Sequence, residues 1–257
     1  MITQVWQWLT SASSWEGSAG IGHRLLQHLE YSAITVLIAS ALAIPLGLWI
    51  GHTGRGRWMV TAANSLRAVP SLGLLFAVAL WLGPKLHGNS AYVVPSIVVL
   101  VVLAIPPLLA GAYAGVAGVD PAARDAAHGM GMTEGQVLLQ VEVPCALPLM
   151  LSGVRSATLQ VIATATIASA VSLGGLGRFL IDGLALGEYN VMAGGAIVVA
   201  LLALGVDTVL AALQAAVVSP GLSGGTSRFR GRRTRTDRGQ PTASENEPGV
   251  VGVVAKG

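Results

Sequence analysis

Few side chains in this sequence could do chemistry. Two ionisable residues, Arg155 and Asp207, lie inside long apolar runs. Charges placed there are costly and are usually paired or functional. Arg155 stands nine residues after Ala146, and Asp207 ten before Val217. At ~1.5 Å of rise per residue, both lie roughly 14–15 Å from the inner ends of their segments. Equal depth permits an ion pair, either a structural tie or a gate that exchanges partners. A second polar group, Asn64, Ser65, Arg67, Pro70 and Ser71, interrupts another apolar stretch. Interrupted helices at membrane depth tend to line cavities. Asn64, Arg67, Pro70 and Ser71 are therefore candidates for a translocation path, the other reading being a plain start of a span. His52 and His128 fall in polar loops and read as solvated. The single Cys145 excludes an internal disulfide and reads as a packing residue. There is no H-E-x-x-H, no Ser/His/Asp set within the apolar runs and no G-x-x-x-x-G-K-[ST]. The chain is thus expected to be no enzyme and to hold no cofactor or metal.

The densest polar stretch is Asp120 to Pro148, DPAARDAAHGMGMTEGQVLLQVEVPCALP. Asp120 can cap a helix, and Pro121 fits the first helical turn, where its missing N–H costs nothing. An Ala-rich helix over 122–128 should follow. Gly129 and Gly131 permit a sharp turn. Thr133 and Gln136 form a capping-box pattern for a second helix, Glu134 to Val143, ahead of Pro144 and Pro148. The stretch predicts a helix, a glycine turn and a helix between two membrane spans.

The elements around these residues follow from composition. The 257 residues are 53% hydrophobic and 11% charged, the latter about half the usual share. Runs long enough to cross ~30 Å of hydrocarbon recur. Residues 1–30, with Trp6, Trp8 and Trp15, read as an interfacial segment. Spans are expected at about 31–51, 66–83, 91–115, 146–173 and 190–218. The second is the least clean, because only Leu72 to Leu82 is continuously apolar. From 219 onward Gly, Ser, Thr and six arginines (Arg228, Arg230, Arg232, Arg233, Arg235 and Arg238) replace the apolar pattern. Such a tail is expected to be disordered. The fold class is an all-α integral membrane protein of about five transmembrane helices, with a helical elbow between spans 3 and 4.

Basic residues orient the spans. Arg55, Arg57, Arg67, Arg124 and the tail arginines share one side, against Arg24, Lys85 and Arg178 on the other. The elbow and C-terminus are expected inside the cell and the N-terminus outside. A juxtamembrane basic tail fits anionic lipid better than nucleic acid.

The spacing of the elbow carries a resemblance. Asp125-Ala126-Ala127, then Gly131, then Val141-x-Val143-Pro144, resembles the EAA loop of bacterial ABC-importer permeases. Asp125 stands where Glu is usual, and Val141 and Val143 where Ile and Leu are usual. Asn64-Ser65-Leu66-Arg67-Ala68-Val69-Pro70-Ser71 resembles a segment of permeases for glycine betaine, carnitine and choline. Leu147-Pro148, Gly153-Val154-Arg155, Gly174-Gly175-Leu176-Gly177 and the Asp207 region are similar to the same branch. The likeness spans about Tyr31 to Val218. It implies a type I importer permease in a bacterial cell membrane. Its loop at 117–145 would couple to a cytoplasmic ATPase dimer through Asp125, Ala126, Ala127, Gly131, Val141 and Pro144. The resemblance also implies a second permease, copy or paralogue, an extracytoplasmic binding protein, and ATP with Mg on the partner. The rival readings are a permease for another small substrate such as an amino acid, a secondary transporter or channel, and an intramembrane enzyme.

Overall fold

The computed structural model describes residues 2–218, and the expected basic tail lies outside them. The described secondary structure is helical throughout. In order it runs α1 (Ile2–Thr10), α2 (Ile21–Thr53), α3 (Arg57–Ser65), α4 (Ser71–Leu82), α5 (Ser90–Ala117) and α6 (Pro121–Gly129). Then follow α7 (Glu134–Val137), α8 (Val143–Ala168), α9 (Gly177–Leu186) and α10 (Tyr189–Val217). Helix α2, helix α5, the continuous segment Glu134–Val171 and helix α10 are each long and apolar enough to cross a membrane. Helices α3 and α4 qualify only as a pair, bent by 94°. Pro70 explains the bend: it disfavours helical geometry at Val69, which is extended at φ −74°, ψ 128°.

Helix α5 is the centre of the bundle and packs against both α2 and α8. Small residues make this possible. A Cβ on Gly47 would lie 2.7 Å from the Ala112 methyl, and one on Gly111 2.8 Å from the Leu149 carbonyl oxygen. Gly51 meets Val116, Gly115 meets Ala146, and Gly153 meets Pro107 in the same way. Two Gly-x-x-x-Gly pairs, Gly47/Gly51 and Gly111/Gly115, thus bring three backbones into contact where hydrocarbon tails cannot follow. Between Ile21 and Ile50, which are both fully buried, the buried stripe of α2 is small or polar: His28, Ser32, Thr35, Ala39, Ala43 and Gly47. Its large residues Leu37, Leu42 and Trp49 face outward.

Three boundaries depart from the sequence reading. The first long helix begins at Ile21, not Tyr31. Polar residues at its start mask it from hydropathy, yet they are used. His28 Nε2 lies 3.1 Å from the Ile162 carbonyl, and the Gln27 side-chain oxygen accepts the Gly175 N–H at 3.2 Å. The first thirty residues are therefore not one interfacial segment. Helix α1 packs on α10, and Trp8 meets Phe179 edge-on with ring centres 5.2 Å apart. Finally, the second elbow helix does not stop at Val143. It runs on through a wide π-turn, Leu138–Glu142, into α8.

Prolines inside the spans leave carbonyls without helical donors. Pro107 orphans the Leu103 carbonyl, and the Gln160 side-chain amide of α8 donates to it at 2.8 Å.

Candidate functional site

The elbow is built locally and then pinned. Asp120 accepts the Ala122 N–H at 2.9 Å and opens α6. Gly131 sits at φ +83°, the left-handed conformation that reverses the chain, whereas Gly129 is the last residue of α6. The Thr133 N–H donates to the Gln136 side-chain oxygen at 2.8 Å, tying down the start of α7. Asp125, Ala126 and Gly131 are exposed, and Ala127 is the one buried residue of α6. Met130 is 76% exposed at the tip. Helix α6 and the turn after it therefore expose the Asp125 carboxylate, small residues and the Met130 side chain.

Beneath it lies a residue that the sequence reading passed over. Glu142 is 1% exposed. Its Oε1 is 2.7 Å from Arg124 Nε, and its Oε2 is 2.7 Å from His52 Nδ1. The Arg124 Nε–H is not aimed along that contact, so the pair is held by charge, while Arg124 Nη2 donates to the Val116 carbonyl at the end of α5. His52 Nε2 also lies 3.5 Å from Glu134. His52 is thus not a solvated loop residue. It lies in the last turn of α2 and contacts two carboxylates.

The π-turn places Glu142 there. Val137 and Glu142 are both buried, five residues apart. A regular helix would bring Val141 beneath Val137, four residues on. The Val143 N–H instead reaches back to the Leu138 carbonyl, so the face turns by one residue. Val141 and Pro144 are half-buried beside it.

The other candidates occupy two further places. Asn64 lies in the last turn of α3, Arg67 and Pro70 lie at the 94° bend, and Ser71 opens α4. The first three are exposed and Ser71 is half-buried. Arg155 and Asp207 meet in the spans: Arg155 Nε–H and Nη2–H both donate to the Asp207 carboxylate, the second at 2.6 Å. Gln214 adds a second link between α8 and α10, its amide donating to the Pro148 carbonyl at 3.1 Å. No group of three potential metal ligands occurs among the described residues.

A small-residue helix bundle interrupted by one capped, exposed elbow defines an all-α membrane-spanning protein. Residues 43–219 match the family described as binding-protein-dependent transport system inner membrane component, and the chain belongs to that family. It is 35% identical to the carnitine transport permease protein OpuCB of Listeria monocytogenes, over 75% of this chain and 88% of that protein. It is 34% identical to the glycine betaine/carnitine/choline transport system permease protein OpuCB of Bacillus subtilis, over 77% and 88%. The osmoprotectant import permease protein OsmW of Salmonella typhimurium is 32% identical over 76% and 91%. In fold the chain resembles a chain of the inward-facing MetNI methionine ABC transporter, with a TM-score of 0.65 at 20% identity over 77% and 96%.

Proposed function

We propose that this chain is the permease subunit of an ATP-driven importer for a quaternary-amine osmoprotectant: glycine betaine, choline, carnitine or a proline-like compound. The observation that carries the reading is its 35% identity to a carnitine permease over 75% of the chain. In this reading α6 is the coupling helix. Asp125, Ala126, Gly131 and Met130 face a cytoplasmic ATPase dimer, which holds the ATP and Mg. The elbow and the basic tail lie in the cytoplasm, and the N-terminus lies outside. Helices α2 to α10 form the permease domain. A second permease, copy or paralogue, completes the pathway, to which the bend at Asn64, Arg67, Pro70 and Ser71 contributes. An extracytoplasmic binding protein delivers substrate. ATP binding draws the two elbows together and turns the spans outward, and hydrolysis reverses this, so transport is a biased two-state equilibrium.

Competition for uptake tests it. Labelled glycine betaine uptake by cells expressing the complete system should be reduced by excess choline or carnitine and unaffected by methionine. Competition by methionine alone would move the assignment to an amino-acid permease. Failure to retain an ATPase subunit in mild detergent would remove the importer reading itself.

A further inference from the structure

Glu142 is the one carboxylate buried to this degree among the described residues. Four helical segments converge on it. Arg124 comes from α6 and His52 from the last turn of α2, while Arg124 also holds the last turn of α5 through Val116. Glu142 itself stands on the π-turn that leads into α8. Helix α6 has little other grip on the bundle, since Ala127 is its one buried residue. An apolar contact of that size would let α6 slide. A buried carboxylate does not tolerate losing a partner, and the hydrogen bond to His52 beside the Arg124 charge sets direction as well as distance.

We propose that Glu142 is a positioning residue: the joint that locks α6 to α2, α5 and α8, so that a displacement of the elbow moves the spans as one body. This rests on reading α6 as the helix that docks on the ATPase. Glu142 touches neither ATP nor substrate. Its part is to convert motion of α6 into motion of the transport path, and weakening it should separate hydrolysis from uptake.

The test uses the complete transporter with its ATPase and binding protein in proteoliposomes. The label is whichever of glycine betaine, carnitine or choline the unmodified protein accumulates. Glu142→Asp keeps the charge but shortens the reach to Arg124 and His52. It should retain the ATPase subunit and hydrolyse ATP within about twofold of the unmodified rate, while uptake per ATP falls about five- to tenfold. His52→Gln, which leaves Arg124 in place, should lower the same ratio by less. If uptake and hydrolysis fall in proportion, or uptake per ATP is unchanged, the joint is overturned. Should Glu142→Asp fail to assemble, the ratio for His52→Gln decides by the same criterion. Asp125→Lys, on the exposed face of α6, separates this inference from the docking reading. If that variant keeps both the ATPase subunit and transport, the docking reading falls. If it loses the ATPase subunit while Glu142→Asp stays fully coupled, only the joint falls.

Discussion

Arg155 grips Asp207 with two N–H groups, joining the middle of α8 to α10 inside the spans. The two side chains are 38% and 24% exposed, so the pair lies on the flank of the bundle rather than in its core. Removing one partner leaves the other charge in a poorly solvating medium. Asp207→Asn and Arg155→Gln should each lower the yield of folded permease, and the double variant should be no worse than the poorer single. Size-exclusion profiles in mild detergent, combined as a double-mutant cycle, check this. Simply additive losses would mean the pair is not coupled.

The close approach of α5 and α8 depends on the absence of side chains at Gly111 and Gly153. Gly153→Leu would drive carbon into the Pro107 carbonyl, which already lies 2.8 Å from the position of a Cβ. The cost should be about 1–3 kcal/mol or more, as for overpacked cores, read as a lowered thermal midpoint in detergent. Gly205 is the control. Nothing lies within 4 Å of its Cβ position, so Gly205→Ala should be neutral or stabilise α10 by up to about 1 kcal/mol.

Gln160 supplies the donor that Pro107 denies to Leu103. Gln160→Leu preserves bulk and leaves that carbonyl unpaired. It should destabilise by about 1 kcal/mol. Adding Pro107→Ala, which restores a helical N–H, should recover part of the loss in the same thermal assay.

Gly131 turns the elbow at φ +83°. Gly131→Val should cost at least about 1–2 kcal/mol locally, because a β-branched residue clashes in left-handed geometry. Gly131→Asn should cost less. The bundle lies away from this tip, so the thermal midpoint should change little while retention of the ATPase subunit falls in the order Gly, Asn, Val. Equal retention in all three would mean the turn is not part of the docking surface.

The elbow's sidedness is also open to direct measurement. Met130 projects from its tip. In a Cys145→Ser background, Met130→Cys should react with an impermeant maleimide only after the membrane is opened. Labelling in intact cells would reverse the orientation.

Much of the architecture is legible in the residues themselves. The apolar runs that form α5 and α10 are uninterrupted by charge except for Asp207, and their length alone marks them as spans. Asp120, Gly131 and the Thr133/Gln136 pattern act through neighbours in the chain, so the elbow's cap and turn could be read without a fold. The limits of α2 could not. Arg24, Gln27 and His28 look like a polar approach to the membrane until Ile162 and Gly175 are brought beside them.

What the sequence alone determined is the all-helical membrane class with four or five long apolar helices, the capped elbow between two of them, and the family resemblance carried by Asp125 to Pro144. These depend on hydrophobic length, local capping and left-handed turns, all short-range properties. The tertiary structure decided which faces meet. Lipid tails are as apolar as leucine, so hydropathy does not distinguish an inward face from an outward one, and close backbone packing selected Gly47, Gly111 and Gly153 instead. It also decided that Glu142, not Val141, turns inward. One extra residue in the π-turn shifts the helical face, and only then do Arg124 and His52, distant in sequence, close on a single buried carboxylate.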